Sequence, residues 1–340
     1  MLRIAAVLVA GSFMASAQAE PFYRLESALT IESPNVPNWD YLTFDPSHNY
    51  LYISRREDGV LIYDTQAKRI TGTIENTVGG NAITLVPEFD RGYVTNLDGS
   101  ATIFQISTLK ALERVKFGKD ADNAFYDPVT KQLLITMGDS KRAAFLDAKT
   151  GKTLGTLDID SEKLEGTAAD GNGNMYMALR DRNKVIRIDM KKRQVVQEWS
   201  PANCELPNGV AYDAANKRLF VSCRGNSPVL LVIDPANGKV VASPTIGRGN
   251  DVVVFDADAR KIYTSNGFDG TLVIIDQVDA NTYKLAEATT TRPYARTMAL
   301  DPKTKKVYLA TAEGTVDPAK KWKSEIASFY PNKYFLNTFT

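Results

Sequence analysis

Short apolar runs alternate with tight polar turns, and the alternation repeats along the whole chain. The segments FDPSHNYLYIS from Phe44, VPEFDRGYVT from Val86, YDPVTKQLLIT from Tyr126, ADGNGNMYMA from Ala169, YDAANKRLFVS from Tyr212, FDADARKIYTS from Phe255 and LDPKTKKVYLA from Leu300 each read as strand, turn and second strand. Their equivalent ring or aliphatic positions are Tyr52, Tyr93, Leu134, Tyr176, Phe220, Tyr263 and Tyr308, spaced by 41, 41, 42, 44, 43 and 45 residues. A third run follows each pair, as in VLIYD from Val60 or LLVID from Leu230, and then a fourth, as in RITGTIE from Arg69. Four strands per period of this length predict an all-β fold, a seven-bladed β-propeller of four-stranded antiparallel blades. The alternative repeat architecture is a solenoid.

A propeller must close, and closure usually combines strands from both chain ends. Phe22 to Ile31 reads as a free strand fit for the outer edge of the last blade. Ser324 to Tyr330 and Tyr334 to Thr340 read as two further strands, which is one more than closure requires. Ahead of them, Arg3, the apolar run from Ile4 to Ala15 and the small residues of Ala17-Gln18-Ala19 predict a cleaved signal peptide over residues 1–19, with the mature chain starting at Glu20 and destined for a periplasm. Residues 20–340 then form a single domain. No later run approaches the ~20 apolar residues of a spanning helix, so no membrane span is expected in the mature chain, which is read as a monomer.

Composition narrows the chemistry. The 41 basic and 40 acidic residues give a formal charge of +1, and no global field selects nucleic acid or an acidic surface, although local patches can. Cys204 and Cys223, 19 apart in an exported chain, predict a disulfide. The single histidine, His48, falls in a turn and reads as a solvated turn residue; one histidine there excludes Ser-His-Asp and Cys-His catalysis and multi-histidine metal sites.

The stretch Arg91-Gly92-Tyr93-Val94-Thr95-Asn96-Leu97-Asp98-Gly99-Ser100, with Asp147 to Lys152 and Asp234 to Lys239, resembles the YVTN repeat of bacterial propellers. Together with the leader, the chain is similar to the YncE-type periplasmic propellers over nearly all its mature length. That resemblance implies a binding module rather than a defined catalyst, with single-stranded DNA as an associated ligand.

In a propeller the first strand of each blade is innermost, so equivalent entry positions converge. Those positions hold Asp40, Asn81, Asp122, Glu165, Asn208, Asp251 and Arg296, all polar between apolar neighbours. They can cap loop amides, with Arg296 pairing with Asp251 or Asp40, or they can offer oxygens to a hard cation such as Ca2+. Glu165, Asn208 and Asp251, each 43 residues from the next, are similar to the metal ligands of gluconolactonase-type propellers, though those have six blades and space the ligands differently. A metal there would imply a lactonase-like hydrolase. The loops after the second strands carry Arg55, Arg56, Lys141, Arg142, Arg180, Arg182 and Arg224, with Arg248 nearby, a rim suited to carboxylate or phosphate. Phe268 and Trp39 are the few aromatics beside it. The sequence therefore predicts an exported propeller binding single-stranded DNA or another anionic ligand at one mouth, with the metal-dependent hydrolase and an envelope scaffold for a protein partner as alternatives.

Overall fold

The computed structural model describes residues 22–316 and 327–340. The proposed leader over residues 1–19 and the start of the segment from Ser324 lie outside the described residues. Seven four-stranded antiparallel sheets follow one another around the chain. Blades 1 to 6 each use consecutive strands, from Leu42–Asp45, Tyr50–Ser54, Val60–Asp64 and Arg69–Ile74 in blade 1 to Asn250–Asp256, Lys261–Asn266, Thr271–Gln277 and Tyr283–Thr290 in blade 6. First strands of neighbouring blades touch each other, which places them around the central channel.

Why these residues turn where they do is local chemistry. The aspartate ending an inner strand accepts the amides of its own turn: Asp45 Oδ1 takes Ser47 N–H at 2.9 Å, Asp213 Oδ1 takes Ala215 N–H at 3.0 Å and Asp301 Oδ1 takes Lys303 N–H at 2.9 Å. His48 belongs to the first of these turns, with Nδ1 2.7 Å from Asp45 Oδ2 and its side chain 41% exposed. The apolar residues of the outer faces pack blade against blade. Tyr52, Ile62 and Ile74 of blade 1, for example, bury against Ile83, Val94 and Phe104 of blade 2. The core is therefore a circle of wedges rather than one centre, each blade buried against its neighbours.

The YVTN residues have structural work. Tyr93 is fully buried and its hydroxyl donates to Ala148 O at 2.8 Å in the next blade; Thr95 donates to Asp122 O at 2.8 Å; Asn96 Nδ2 donates to Val94 O at 3.1 Å. The motif seams adjacent blades and presents nothing to a ligand.

Closure resolves the surplus strand. Blade 7 runs Thr297–Leu300, Val307–Val316, Ala327–Phe339 and then Leu25–Ile31 on the outside, so the N-terminal strand is the clasp. The two C-terminal segments are parts of one long strand. Its register against Val307–Val316 breaks between Ala312↔Tyr334 and Gly314↔Phe329, beside the left-handed residue Asn332, so the pair continues as a two-stranded arm beyond the sheet. No helix among the described residues is long and apolar enough to cross a membrane.

Candidate functional site

The polar entry residues come together, and a backbone irregularity brings them there. In blades 2 to 6 the pairing of first and second strands slips at the same place: between Gly80 and Ile83, Ala121 and Ala124, Leu164 and Thr167, Pro207 and Val210, and Asn250 and Val253. Each slip is a bulge that contains the ring residue, namely Asn81, Asp122, Glu165, Asn208 or Asp251. A bulge releases its residues from the ladder and re-aims their side chains. In three blades the freed amide is capped by a hydroxyl of the second strand: Ala82 N–H by Thr95, Asn123 N–H by Thr136 and Gly209 N–H by Ser222, at 3.1, 3.1 and 2.9 Å. Backbone polar groups at the mouth are thereby satisfied without a regular ladder.

Blades 4, 5 and 6 approach unusually closely. A Cβ at Gly166 would lie 2.5 Å from Asn208 O, and one at Gly209 would lie 2.8 Å from Val253 N. The two glycines follow Glu165 and Asn208 directly, so their missing side chains set how near Glu165, Asn208 and Asp251 stand to one another.

What fills the space between those three is arginine. Arg180 places Nη2 3.0 Å from Glu165 Oε1 and donates from Nη1 to Asn208 Oδ1 at 3.1 Å. Arg224 donates to Asn208 Oδ1 at 3.2 Å and pairs with Asp251 Oδ1. Arg296 holds Asp251 Oδ2 at 2.7 Å, donates to Trp39 O at 2.8 Å and lies over the Trp39 ring, its guanidinium carbon 5.1 Å from the centroid. Arg56 pairs with Asp40 at 2.5 Å. Of the two partners expected for Arg296, Asp251 is the one it takes. The trio read as calcium ligands is thus a set of guanidinium acceptors, and three fixed positive charges, Arg180, Arg224 and Arg296, stand where a divalent cation would sit. Among the described residues no group of three or more His, Cys, Asp or Glu is arranged to hold a metal ion.

The structure divides the arginine rim. Arg56, Arg180 and Arg224 face the funnel. Arg55 does not: it is 1% exposed, salt-bridged to Asp58 at 2.7 Å and laid over the Tyr334 ring at 4.0 Å, an internal strut. Arg142 and Arg182 lie on the outside, paired with Asp158 at 2.6 Å and Asp160 at 2.9 Å, and Lys141 with Glu162 at 3.3 Å. Arg248 binds Asp269. The four funnel arginines keep between 16% and 27% of their side-chain surface exposed, enough to meet a ligand while remaining oriented.

Two features were not anticipated. Tyr41 stands where the other blades have Ala82, Asn123, Gly166, Gly209, Val252 and Thr297, and that lone aromatic was the available signal. Burial, with Asp122, Asp40, Glu165 and Asp251 around it, pushes its hydroxyl well above the ordinary tyrosine range, so it stays a neutral donor at the centre of the ring. The second is the electrostatics of Asp122, whose place in the ring was read from the sequence. Burial, reinforced by Asp40, Glu165 and Asp120, raises its carboxyl well above the usual range. Burial raises Glu165 too, although Arg180 opposes the shift. Below the ring the channel opens into a cavity of about 490 Å³, lined by Tyr41, Ile83, Phe125, Val210 and Val252 among others.

The predicted disulfide is present: Cys204 and Cys223 are bonded, with Cα atoms 5.1 Å apart. Cys223 pairs across the hairpin with Pro207, one residue from the expected Asn208, because of the bulge.

No protein-family model matches the chain, and no curated protein does. Among solved structures, a chain of Kuenenia stuttgartiensis hydrazine synthase is similar, with a TM-score of 0.70 and 16% identity over 83% of this chain and 94% of that one. A chain of a mitotic checkpoint complex is also similar, with a TM-score of 0.72 and 14% identity over 98% of each. At such identities the likeness shows the propeller fold alone.

Proposed function

We propose that the protein is an exported ligand-binding propeller that grips an anionic ligand at the mouth bearing Arg56, Arg180, Arg224 and Arg296. The observation that carries this reading is the convergence of four partly exposed guanidinium groups on one funnel, each already oriented by a carboxylate, so that little ordering remains to be done on binding. A scaffold of this kind is compatible with binding and needs no catalytic group. The leader-like first 19 residues and the disulfide support the exported assignment.

Titration with oxalate and with a labelled single-stranded oligothymidylate tests it. Replacing Arg56, Arg180 and Arg224 together by Gln should abolish millimolar oxalate binding and, if the oligonucleotide binds, flatten its salt dependence by roughly two units of log–log slope, at about 0.7 for each phosphate no longer neutralised. The pair Arg142→Gln and Arg182→Gln, on the outer rim, should change neither. Binding of neither probe to the wild type, or equal weakening in both variants, would move the ligand away from this mouth.

A further inference from the structure

The funnel is not evenly charged, and the chain explains why. The residue four places after each aligned second-strand position is Arg56, Leu97, Gly138, Arg180, Arg224, Gly267 or Ala312. In blades 1, 4 and 5 that residue is the arginine that reaches a ring carboxylate or carboxamide. Blade 3 has Gly138 instead, and a Cβ there would lie 2.5 Å from Glu162 O, so the close passage of the neighbouring loop excludes any side chain. Asp122 is consequently the one ring carboxylate that no arginine pairs with: Asp40, Glu165 and Asp251 each have an ion pair, and Asp122 has none among the described residues.

The groups facing Asp122 make its ionisation costly. Asp40 and Glu165 look at it from blades 1 and 4 and Asp120 from its own strand entry, while Arg56, the cation that acts on it, is already committed to Asp40. Asp120 is itself raised by burial and by Asp139, with Lys163 and Arg56 opposing. Tyr41 contributes a neutral hydroxyl. Further round the ring, Asp251 is shared by Arg224 and Arg296, and Arg180 spans Glu165 and Asn208. One side of the funnel offers charged donors; the other offers a carboxyl that can donate only when it carries a proton.

We propose that the funnel takes up a small carboxylate ligand together with one proton, which resides on Asp122 and lets that carboxyl donate a hydrogen bond to the ligand. The inference rests on the anion-binding reading above and specifies its chemistry. The ligand arrives ionised, its oxygens meet the guanidinium arc, and a proton from solvent neutralises the one ring charge that would repel it. The one bond formed is the O–H of Asp122, its proton supplied by solvent buffer; no bond of the ligand is made or broken. An O–H···O⁻ bond between carboxyl and carboxylate is among the strong charge-assisted kind, and it needs a carboxyl where a fifth arginine would otherwise stand. The cavity beneath the ring has the volume for the body of a compact organic acid.

Calorimetric titration of the full protein with oxalate, itself fully ionised over the range, between about pH 6 and about pH 8 in two buffers of different ionisation enthalpy tests the proposal. Wild type should lose about tenfold or more in affinity as pH rises and should take up as much as one proton on binding. Asp122→Asn, which cannot ionise, should bind with little dependence on pH and without proton uptake. A pH-independent wild-type affinity, or unchanged dependence in Asp122→Asn, overturns the proton-linked site while leaving anion binding intact; no oxalate binding at any pH removes the anion reading and this inference with it. Thermal melting without ligand is the second measurement. A carboxyl raised in the folded state costs nothing below its unfolded pKa and progressively more as pH climbs towards the folded value, so Asp122→Asn should melt above wild type near pH 8 and level with it near pH 3. Equal melting at both ends would also overturn the assignment.

Discussion

A chain that begins at Glu32, lacking Phe22 to Ile31, should aggregate or melt at least about 10 °C below the intact protein. The removed strand pairs with the last blade from Leu25↔Phe339 to Ile31↔Tyr334, and its removal leaves a row of unpaired amides and carbonyls on Ala327–Phe339. Side chains go with it. Ile31 is 7% exposed and packs with Leu29 against Trp39, Tyr334 and Leu336, and Tyr23 donates to Lys305 O in the same blade at 2.8 Å while its hydroxyl lies 3.1 Å from that of Tyr263 in the adjacent blade. At about 2 kcal/mol for a fully buried apolar side chain, buried Ile31 with half-buried Leu29 and Tyr23 contributes a few kcal/mol, a sizeable part of the roughly 5–15 kcal/mol by which an ordinary domain is stable at all. Differential scanning calorimetry with light scattering checks this. An unaltered melting temperature and a monodisperse truncated chain would mean that the ring is closed without its clasp.

The blade count and the four strands per blade were legible because each depends on a repeated pattern of apolar runs and turn residues; Phe22 to Ile31 was legible as a candidate edge, but which terminal strand closes the ring was left open, because the ends carry one strand more than closure requires. The inner-strand ring was legible for the same reason: seven equivalent positions, all polar, stand out against apolar neighbours. What could not be read was which charge meets which. Arg55 and Arg56 are adjacent and identical in kind, yet past the end of the strand Arg55 lies beneath Tyr334 while Arg56, in a left-handed conformation, turns to Asp40 in the funnel. The bulges that aim Asn81, Asp122, Glu165, Asn208 and Asp251 leave little trace in a single chain beyond Gly166 and Gly209. Partners were the hidden part of the cation reading: three oxygens at a spacing of 43 residues suggest a cation, and the arginines that meet them come from loops 15 and 16 residues later, Arg180 for Glu165 and Arg224 for Asn208. The surplus C-terminal strand was an error of counting, since a break in register at Asn332 made one bent strand look like two.

The disulfide is a fold element placed directly against the site. Cys204 and Cys223 are 5% and 1% exposed, and the chain segments beside them are joined through their backbones: Arg224 N–H donates to Leu206 O at 3.1 Å and Gly225 N–H to Glu205 O at 3.0 Å. The bond therefore fixes the corner from which Asn208 and Arg224 enter the funnel. Replacing both cysteines by alanine should lower stability by about 3 kcal/mol, the chain-entropy value for a loop of this length. The larger consequence is expected at the mouth. Freed of the bond, residues 200–206 can swing, Arg224 loses its fixed approach to Asp251 and Asn208, and oxalate affinity should fall about tenfold or more even at temperatures far below melting, since the ordering that the bond had supplied must now come from the binding energy. Calorimetry of the double variant beside Arg142→Gln, which touches neither the bond nor the funnel, reads both effects. Two titratable thiols in unreduced, denatured wild type would remove the bond itself. Full oxalate affinity in a variant that is destabilised as expected would separate the bond from the site, making it a staple of blade 5 and nothing more.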